Sequence, residues 1–435
     1  MRQMRLFVVL AVLAGLSTFA WASAQSEGTK DATADQPAKI SVWVQADAVR
    51  YPGFEAVTAE FQKKYPKIQV ELTNVPGGWN DLYTKLLATY VSKSWPDVLY
   101  AKGDLLVDFA SRGMLKDLTA FWNRDKEKEL NASPFFFKHV DEGCSWQGKI
   151  YGLPRGEYWM TFSYNTDLFA QAGLTKPPAT WDELAGYSNK IHALGPDIYG
   201  FAVYTYTRND PTGRETMLDS WTRQNGGSIM EYKAGKPVYT LAGNQKAEQA
   251  LQYIHDNIWV NKSWLPPDKD SARETLQFAG KVAMWWGHGG HVSRYKKAAP
   301  NMNWAMDLMP GNPVHATYIA DQKWMVSGNS DHPAQAWEYM KFFTSKAMEA
   351  LFAPYEGHVS VWQDNWKLPV YAGPQYQGLI KQLQDPGTVV FQIHPKWTPV
   401  SGAIAKEVQK VLFNQATPAD ALKAAQKGAD AALAD

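Results

Sequence analysis

Cysteine is almost missing from this sequence: Cys144 is the one thiol in 435 residues. An intrachain disulfide and a thiolate metal cluster are thereby excluded. A charge excess is missing too, with 44 Lys+Arg against 43 Asp+Glu, and neutrality removes the electrostatic ground for binding nucleic acid or an anionic membrane. The apolar run Leu6 to Leu16 is too short for a membrane span, which takes about 20 residues. The chain has no P-loop, no nucleophile elbow, no paired-cysteine zinc spacing and no H-E-x-x-H, so neither a metal nor a cofactor is expected. What the chain does hold is aromatic: 19 Trp, 21 Tyr and 18 Phe. At 45% apolar and 20% charged it is otherwise an ordinary globular composition.

The first residues read as an export signal. Met1-Arg2-Gln3-Met4-Arg5 is a basic segment, Leu6 to Leu16 an apolar one, and Ala22-Ser23-Ala24 a small-residue cleavage site. The expectation is a signal peptide over residues 1–24, cut before Gln25. With Arg2 and Arg5 removed, the mature chain carries 42 basic and 43 acidic groups. No cysteine stands at the new terminus to take a lipid anchor, so a soluble periplasmic protein is expected. Residues 25–38 are polar and aperiodic, a flexible tether.

The remainder is too long for one hydrophobic core, so two lobes are expected. Strand and helix periods alternate at its start: strands at Ile40–Val44, Ile68–Leu72 and Asp97–Ala101, with helices at Gly53–Tyr65, Asn80–Ser92 and Leu105–Ser111. That order predicts a mostly parallel sheet with helices on both faces, binding its ligand beyond the carboxyl ends of the strands. A second unit follows Gly152-Leu153-Pro154. Thr180-Trp181-Asp182-Glu183 is a capping box opening a helix. Strands are predicted at 198–204, 281–286, 304–309 and 323–326, and an amphipathic helix at 332–344.

Many of the aromatics stand beside glycine, proline or charge rather than in helical stripes, among them Trp79, Tyr158, Trp159, Trp286, Tyr355, Trp362, Trp366 and Trp397. A sugar ring has apolar C–H faces and a rim of hydroxyls. It is held by aromatic platforms on its faces and by carboxylate, amide, guanidinium or imidazole groups at its rim. Any one tryptophan reads first as core, since large aromatics are usually well buried; the abundance of such places is what points to a ligand role. His288-Gly289-Gly290-His291 sets two imidazoles three apart, a thin basis for a metal site. Glu157 beside Arg155 invites a glycosidase reading, but with 43 acids no dyad stands out.

Three blocks then carry a resemblance. The first is "ISVWVQAD", "FEAVTAEFQKKYPKIQVEL" and "YTKLLATYVSKSWPDVLYAKGDLLVDFASRGMLKDLT". The second is "GKIYGLP" with "FSYNTDLFAQAGLTKPPATWDEL". The third is "GKVAMWWGHGG", "HPAQAWEYMKFFTS" and "ATPADALKAAQKGADAAL". In this order and spacing the chain resembles the family 1 extracellular solute-binding proteins of ABC importers, in their maltose-binding-protein-like, carbohydrate-binding branch. The resemblance implies an α/β two-lobe periplasmic-binding-protein fold (type II, venus-flytrap), with hinge crossovers and a sugar held between the lobes. It implies lobes at 39–155 plus about 322–382, and at 156–321 plus about 383–435. It also implies a monomer without catalytic activity whose partner is the membrane permease. Carried over position by position, it implies ligand contacts at Asp47, Asp104, Arg155, Glu157, Tyr158, Asp321 and Trp397, with Trp286, His288, Tyr355 and His358 beside them. Where the branch has Gly-Pro-Trp, this sequence has Gly287-His288-Gly289, which implies a different sugar or ring tilt. Two other readings stay open: the same fold holding a quaternary ammonium in an aromatic cage, and a secreted glycoside hydrolase.

Overall fold

The computed structural model describes residues 36–130, 134–155, 160–203, 211–319, 322–390 and 393–434. The expected leader, most of the tether, and the candidates Glu157, Tyr158 and Asp321 lie outside the described residues.

The first sheet has five strands, in the order Ile68–Asn74, Ala38–Val44, Val98–Lys102, Gln322–Val326, Gly152–Arg155. In the second of these Ile40, Val42 and Val44 are fully buried and alternate with more exposed residues, as a pleat with one face on the core requires. Helix Tyr51–Lys64 lays Phe54, Val57 and Phe61 on this core. The ring of Phe54 meets those of Tyr100, Trp324, Phe343 and Phe352 at 4.9 to 6.0 Å.

The second sheet runs Trp304–Asp307, Thr161–Asn165, Val282–Gly287, Tyr199–Ala202. Strand Val282–Gly287 is buried throughout because apolar clusters cover both of its faces. Successive side chains point opposite ways. Trp286 joins the cluster of Trp221 and Trp264, and Trp285 that of Tyr295 and Trp304.

The strand pairings qualify the expectation of mostly parallel sheets. The first three strands in the chain are parallel, as predicted. Gln322–Val326 is antiparallel to both its neighbours, and Thr161–Asn165 to both of its own. Each of these strands enters its sheet after a passage from the other lobe, so it arrives from the edge facing that lobe and runs the opposite way.

Local signals were followed closely. Thr180 Oγ1 accepts from the Glu183 amide at 3.1 Å, although the Glu183 carboxylate reaches back to the Ala179 amide instead of that of Thr180. Within residues 322–382, helices Pro333–Phe343 and Lys346–Phe352 pack with the first sheet. Helix Pro374–Gln384 lies instead on the second, where Leu379 and Leu383 meet Val282 and Trp285. It comes so close that a Cβ on Gly378 would stand 2.0 Å from the Met306 carbonyl oxygen. Much of the tryptophan is core: Trp221, Trp264, Trp285, Trp324 and Trp337 are all fully buried.

Candidate functional site

The strand registers bring one end of each sheet to the other. Gln322 pairs with Lys102 on one side and Arg155 on the other, so these three mark one edge of the first sheet. In the second sheet Gly287 pairs with Thr161, and Asp307 with Phe162. Arg155 and Thr161 are six residues apart, a reach of about 20 Å at most. The two edges are therefore near each other, with the carboxyl ends of Ala38–Val44 and Val98–Lys102 at the first and that of Val282–Gly287 at the second. Open α/β sheets bind ligands at such ends. At the second edge Thr317 Oγ1 donates to the Met160 carbonyl at 2.7 Å, and Thr161 Oγ1 donates to that of Asp307, on the neighbouring strand, at 2.6 Å.

Two of the candidate acids stand at the first edge. Asp47 follows strand Ala38–Val44 and is open to solvent, with its side chain 63% exposed. Its Oδ1 accepts from the amides of Val49 and Arg50, both at 3.0 Å, which fixes the turn into helix Tyr51–Lys64. Asp104 is half-buried and opens helix Asp104–Ser111, directly after strand Val98–Lys102.

Arg155 is neither open nor ready for a ligand. It is buried, with Nη1 2.5 Å from Glu356 Oε2 and 3.2 Å from the Tyr100 hydroxyl. Glu349 Oε1 is 4.0 Å from its Nε. The guanidinium lies over the Phe352 ring at 3.7 Å, with the rings of Phe54, Tyr100 and Phe343 at 5.4 to 5.6 Å. The aromatic cage of the first lobe is thus filled by the chain's own cation. Burial opposes the charge on Arg155, but the two glutamates outweigh it and keep the guanidinium protonated.

The same cluster gathers His358, whose Nδ1 is 2.8 Å from Glu356 Oε1. Burial alone would raise the Glu356 pKa; the charges of His358 and Arg155 instead hold it well below the usual carboxylate range. Glu349 goes the other way. Burial pushes its carboxyl up to about 7 against the pull of Arg155, and the charge of Glu356 adds to the rise. The unfolded chain loses this proton near 4.5 and the folded one near 7, so the contribution of Glu349 to stability is complete below 4.5 and lost as pH rises through 7. That of Glu356 has the opposite sign and is lost on acidification. Glu349→Gln is therefore expected to remove an alkaline loss. The wild type should melt lower at about pH 8.5 than at pH 6, and the variant should show a smaller difference; equal differences in thermal melts would contradict this.

Sequence reasoning missed Glu349, Glu356 and Gln322. Glu356 sits between two residues that were singled out, and nothing in its spacing marks it as the acid that would meet Arg155 from 201 residues away. The other candidates divide. Tyr355 packs beside Phe352, with ring centroids 6.2 Å apart. His288 stands at the second edge, after Gly287. Trp286 faces the core of the second lobe, stacked on Trp221 at 5.5 Å and 17°. Trp397 opens helix Trp397–Leu412 and is buried, yet it belongs to none of the three apolar clusters. Among the described residues no group of three or more His, Cys, Asp or Glu side chains could hold a metal ion, and no helix is long and apolar enough to cross a membrane.

Residues 45–350 match the family model of bacterial extracellular solute-binding proteins. The chain belongs to that family. A binding protein of Brucella abortus is 27% identical over 431 residues, 97% of each chain. Among solved structures, an ABC substrate-binding protein from Listeria monocytogenes in complex with cycloalternan superposes with a TM-score of 0.77 at 22% identity, covering 92% of this chain and 100% of that one. A sugar-binding protein from Xanthomonas citri superposes with a TM-score of 0.76 at 20% identity, covering 91% and 98%. The fold of this solute-binding protein is therefore the two-lobe type II fold expected from its sequence.

Proposed function

We propose that this protein is a periplasmic receptor that captures a mono- or oligosaccharide between its two sheet edges and delivers it to the permease of an ABC importer. The observation that carries this is family membership over residues 45–350. The Listeria and Xanthomonas neighbours, named for cycloalternan and for sugar, support a carbohydrate as the solute.

In this reading Asp47 and Asp104 accept from ligand hydroxyls at the first edge, and His288 serves the second. Trp397 is the stacking platform, at the start of helix Trp397–Leu412, where the resemblance places a cleft aromatic. Glu157, Tyr158 and Asp321 remain ligand candidates on sequence grounds. Arg155 and His358 act behind the site, as the brace of the first edge. The protein works as a monomer and makes or breaks no bond. It is exported by a leader cleaved before Gln25 and carries no lipid. The cage around Arg155, already filled, argues against a quaternary ammonium at that place.

A thermal-shift screen tests the reading. Maltotetraose, cycloalternan and a panel of other oligosaccharides should include one that raises the melting temperature by several degrees, since a ligand at 100 times its Kd contributes about 2.7 kcal/mol. A shift with glycine betaine and with no sugar would refute it. Release of monosaccharide from any of the panel, abolished by Asp104→Asn, would make the protein a hydrolase.

A further inference from the structure

Gln322 opens strand Gln322–Val326, where the chain returns from the second lobe; Ile319, just before it in the chain, still belongs to the apolar cluster of Trp285 and Tyr295. Across the ladder Gln322 pairs with Lys102, the last residue of strand Val98–Lys102, and with Arg155. Its side chain therefore stands at the edge of the first sheet, beside the crossover, with Asp104 close behind Lys102 on the neighbouring chain. The residue is 6% exposed. A buried amide is costly unless its polar atoms find partners, and here the two ends differ. Oε1 accepts from the Tyr100 hydroxyl at 2.6 Å. Nε2 meets no acceptor among the described residues, and it is not sealed away from solvent.

The groups behind Gln322 decide which end of the amide turns outward. Arg155 Nη1 is 2.5 Å from Glu356 Oε2 and 3.2 Å from the Tyr100 oxygen. A guanidinium has donors only, so the Tyr100 oxygen accepts from it. Burial pushes the Tyr100 hydroxyl up to about 12, which keeps its proton in place at neutral pH. That one proton goes to Gln322, whose oxygen must face Tyr100 and whose NH2 must face away. A glutamine amide ordinarily turns over to suit a donor or an acceptor, since its two ends have nearly the same shape. Turned over here, it would take its acceptor from the Tyr100 proton and set an N–H beside an oxygen already used by Arg155.

We infer that Gln322 is a ligand contact, its amide a hydrogen-bond donor of fixed sense aimed at an acceptor oxygen of the solute. Asp47 and Asp104, at the same edge, offer carboxylates, which suit hydroxyl protons. They cannot serve the ring and glycosidic oxygens of a sugar, which carry no proton. Gln322 supplies that donor, and Tyr100 is the positioning residue that holds it. A solute that sets an apolar or cationic group at this place leaves the amide unpaired, so the position selects among solutes as well as binding them. The inference rests on the reading of this edge as the solute site, and it assigns one of the contacts made there.

Nuclear magnetic resonance of the ligand-free mature protein, labelled with 15N in the glutamine side chains, tests it first. The Gln322 amide signal, identified by its absence from Gln322→Met, should exchange with water as an open amide does; protection from exchange would overturn the inference before any ligand is added. Calorimetry follows, with whichever of maltotetraose, cycloalternan, the other panel sugars or glycine betaine raises the melting temperature. Gln322→Glu keeps the shape and the bond from Tyr100 but turns the outward donor into an acceptor, and it should bind at least tenfold more weakly. Tyr100→Phe should weaken binding severalfold in the wild-type background and cause no further loss in the Gln322→Met background, because it acts through Gln322. Equal or tighter binding by Gln322→Glu would overturn the inference and leave the sugar reading standing, and losses that simply add would remove Tyr100 from it. A response to glycine betaine alone would refute the sugar reading and leave Gln322 to be judged by the same variants on the betaine carboxylate.

Discussion

Arg155→Met should destabilise the first lobe by about 3–5 kcal/mol, the usual cost of removing one partner from a buried ion pair. The variant leaves Glu356 and Glu349 facing each other with their one shared cation gone. Both are 3% exposed at the side chain, so water cannot replace the guanidinium. Methionine keeps most of the volume and can still lie on the Phe352 ring, so little of the loss comes from packing. Denaturant unfolding followed by circular dichroism measures the effect, and the triple variant Arg155→Met, Glu349→Gln, Glu356→Gln supplies the control. Removing all the charges together should restore much of the loss, because a buried network replaced by neutral groups is often tolerated. If the single variant loses less than about 1 kcal/mol, the scale of an exposed pair, the cluster is not the brace described here.

Trp286→Ala is expected to cost about 3–5 kcal/mol, the range for a large aromatic removed from a core. The side chain is 3% exposed, stacks on Trp221, and sits in the cluster that also holds Trp264 and Phe201. Trp397→Ala should behave differently. It should weaken the oligosaccharide identified by the screen at least tenfold, beyond whatever stability the loss of a side chain 5% exposed costs, since stacking aromatics act as binding hot spots. The two variants separate core from cleft. A Trp286→Ala protein of full stability and reduced affinity would return Trp286 to the binding site; a Trp397→Ala protein of unchanged affinity would remove Trp397 from it.

The fold was legible where local chemistry decides it. Phe54, Val57 and Phe61 at helical spacing, Ile40, Val42 and Val44 at strand spacing, and the Thr180 cap all lie within one element, and each appears in place. The ends of strands were legible too, so Asp47 and Asp104 could be put at an edge. What could not be read were meetings between distant segments. The pairing of Arg155 with Glu356, the contact of Gly289 with Gly357, and the approach of Gly378 to Met306 each depend on how crossovers bring the chain back. The side toward which Trp286 points was lost for a related reason. In a strand buried on both faces, alternation no longer separates core from cleft.

The tryptophans of the second lobe have an optical consequence. Trp181, Trp264 and Trp286 each lie within 5.3 to 5.8 Å of Trp221, ring centre to ring centre, close enough for excitation to pass freely among them. Light absorbed by any of the four is shared before it is emitted, and that emission comes from a dry interior. This part of the intrinsic fluorescence gauges the second core, whereas Trp397, outside that cluster, adds an emission of its own, and Trp397→Ala separates the two.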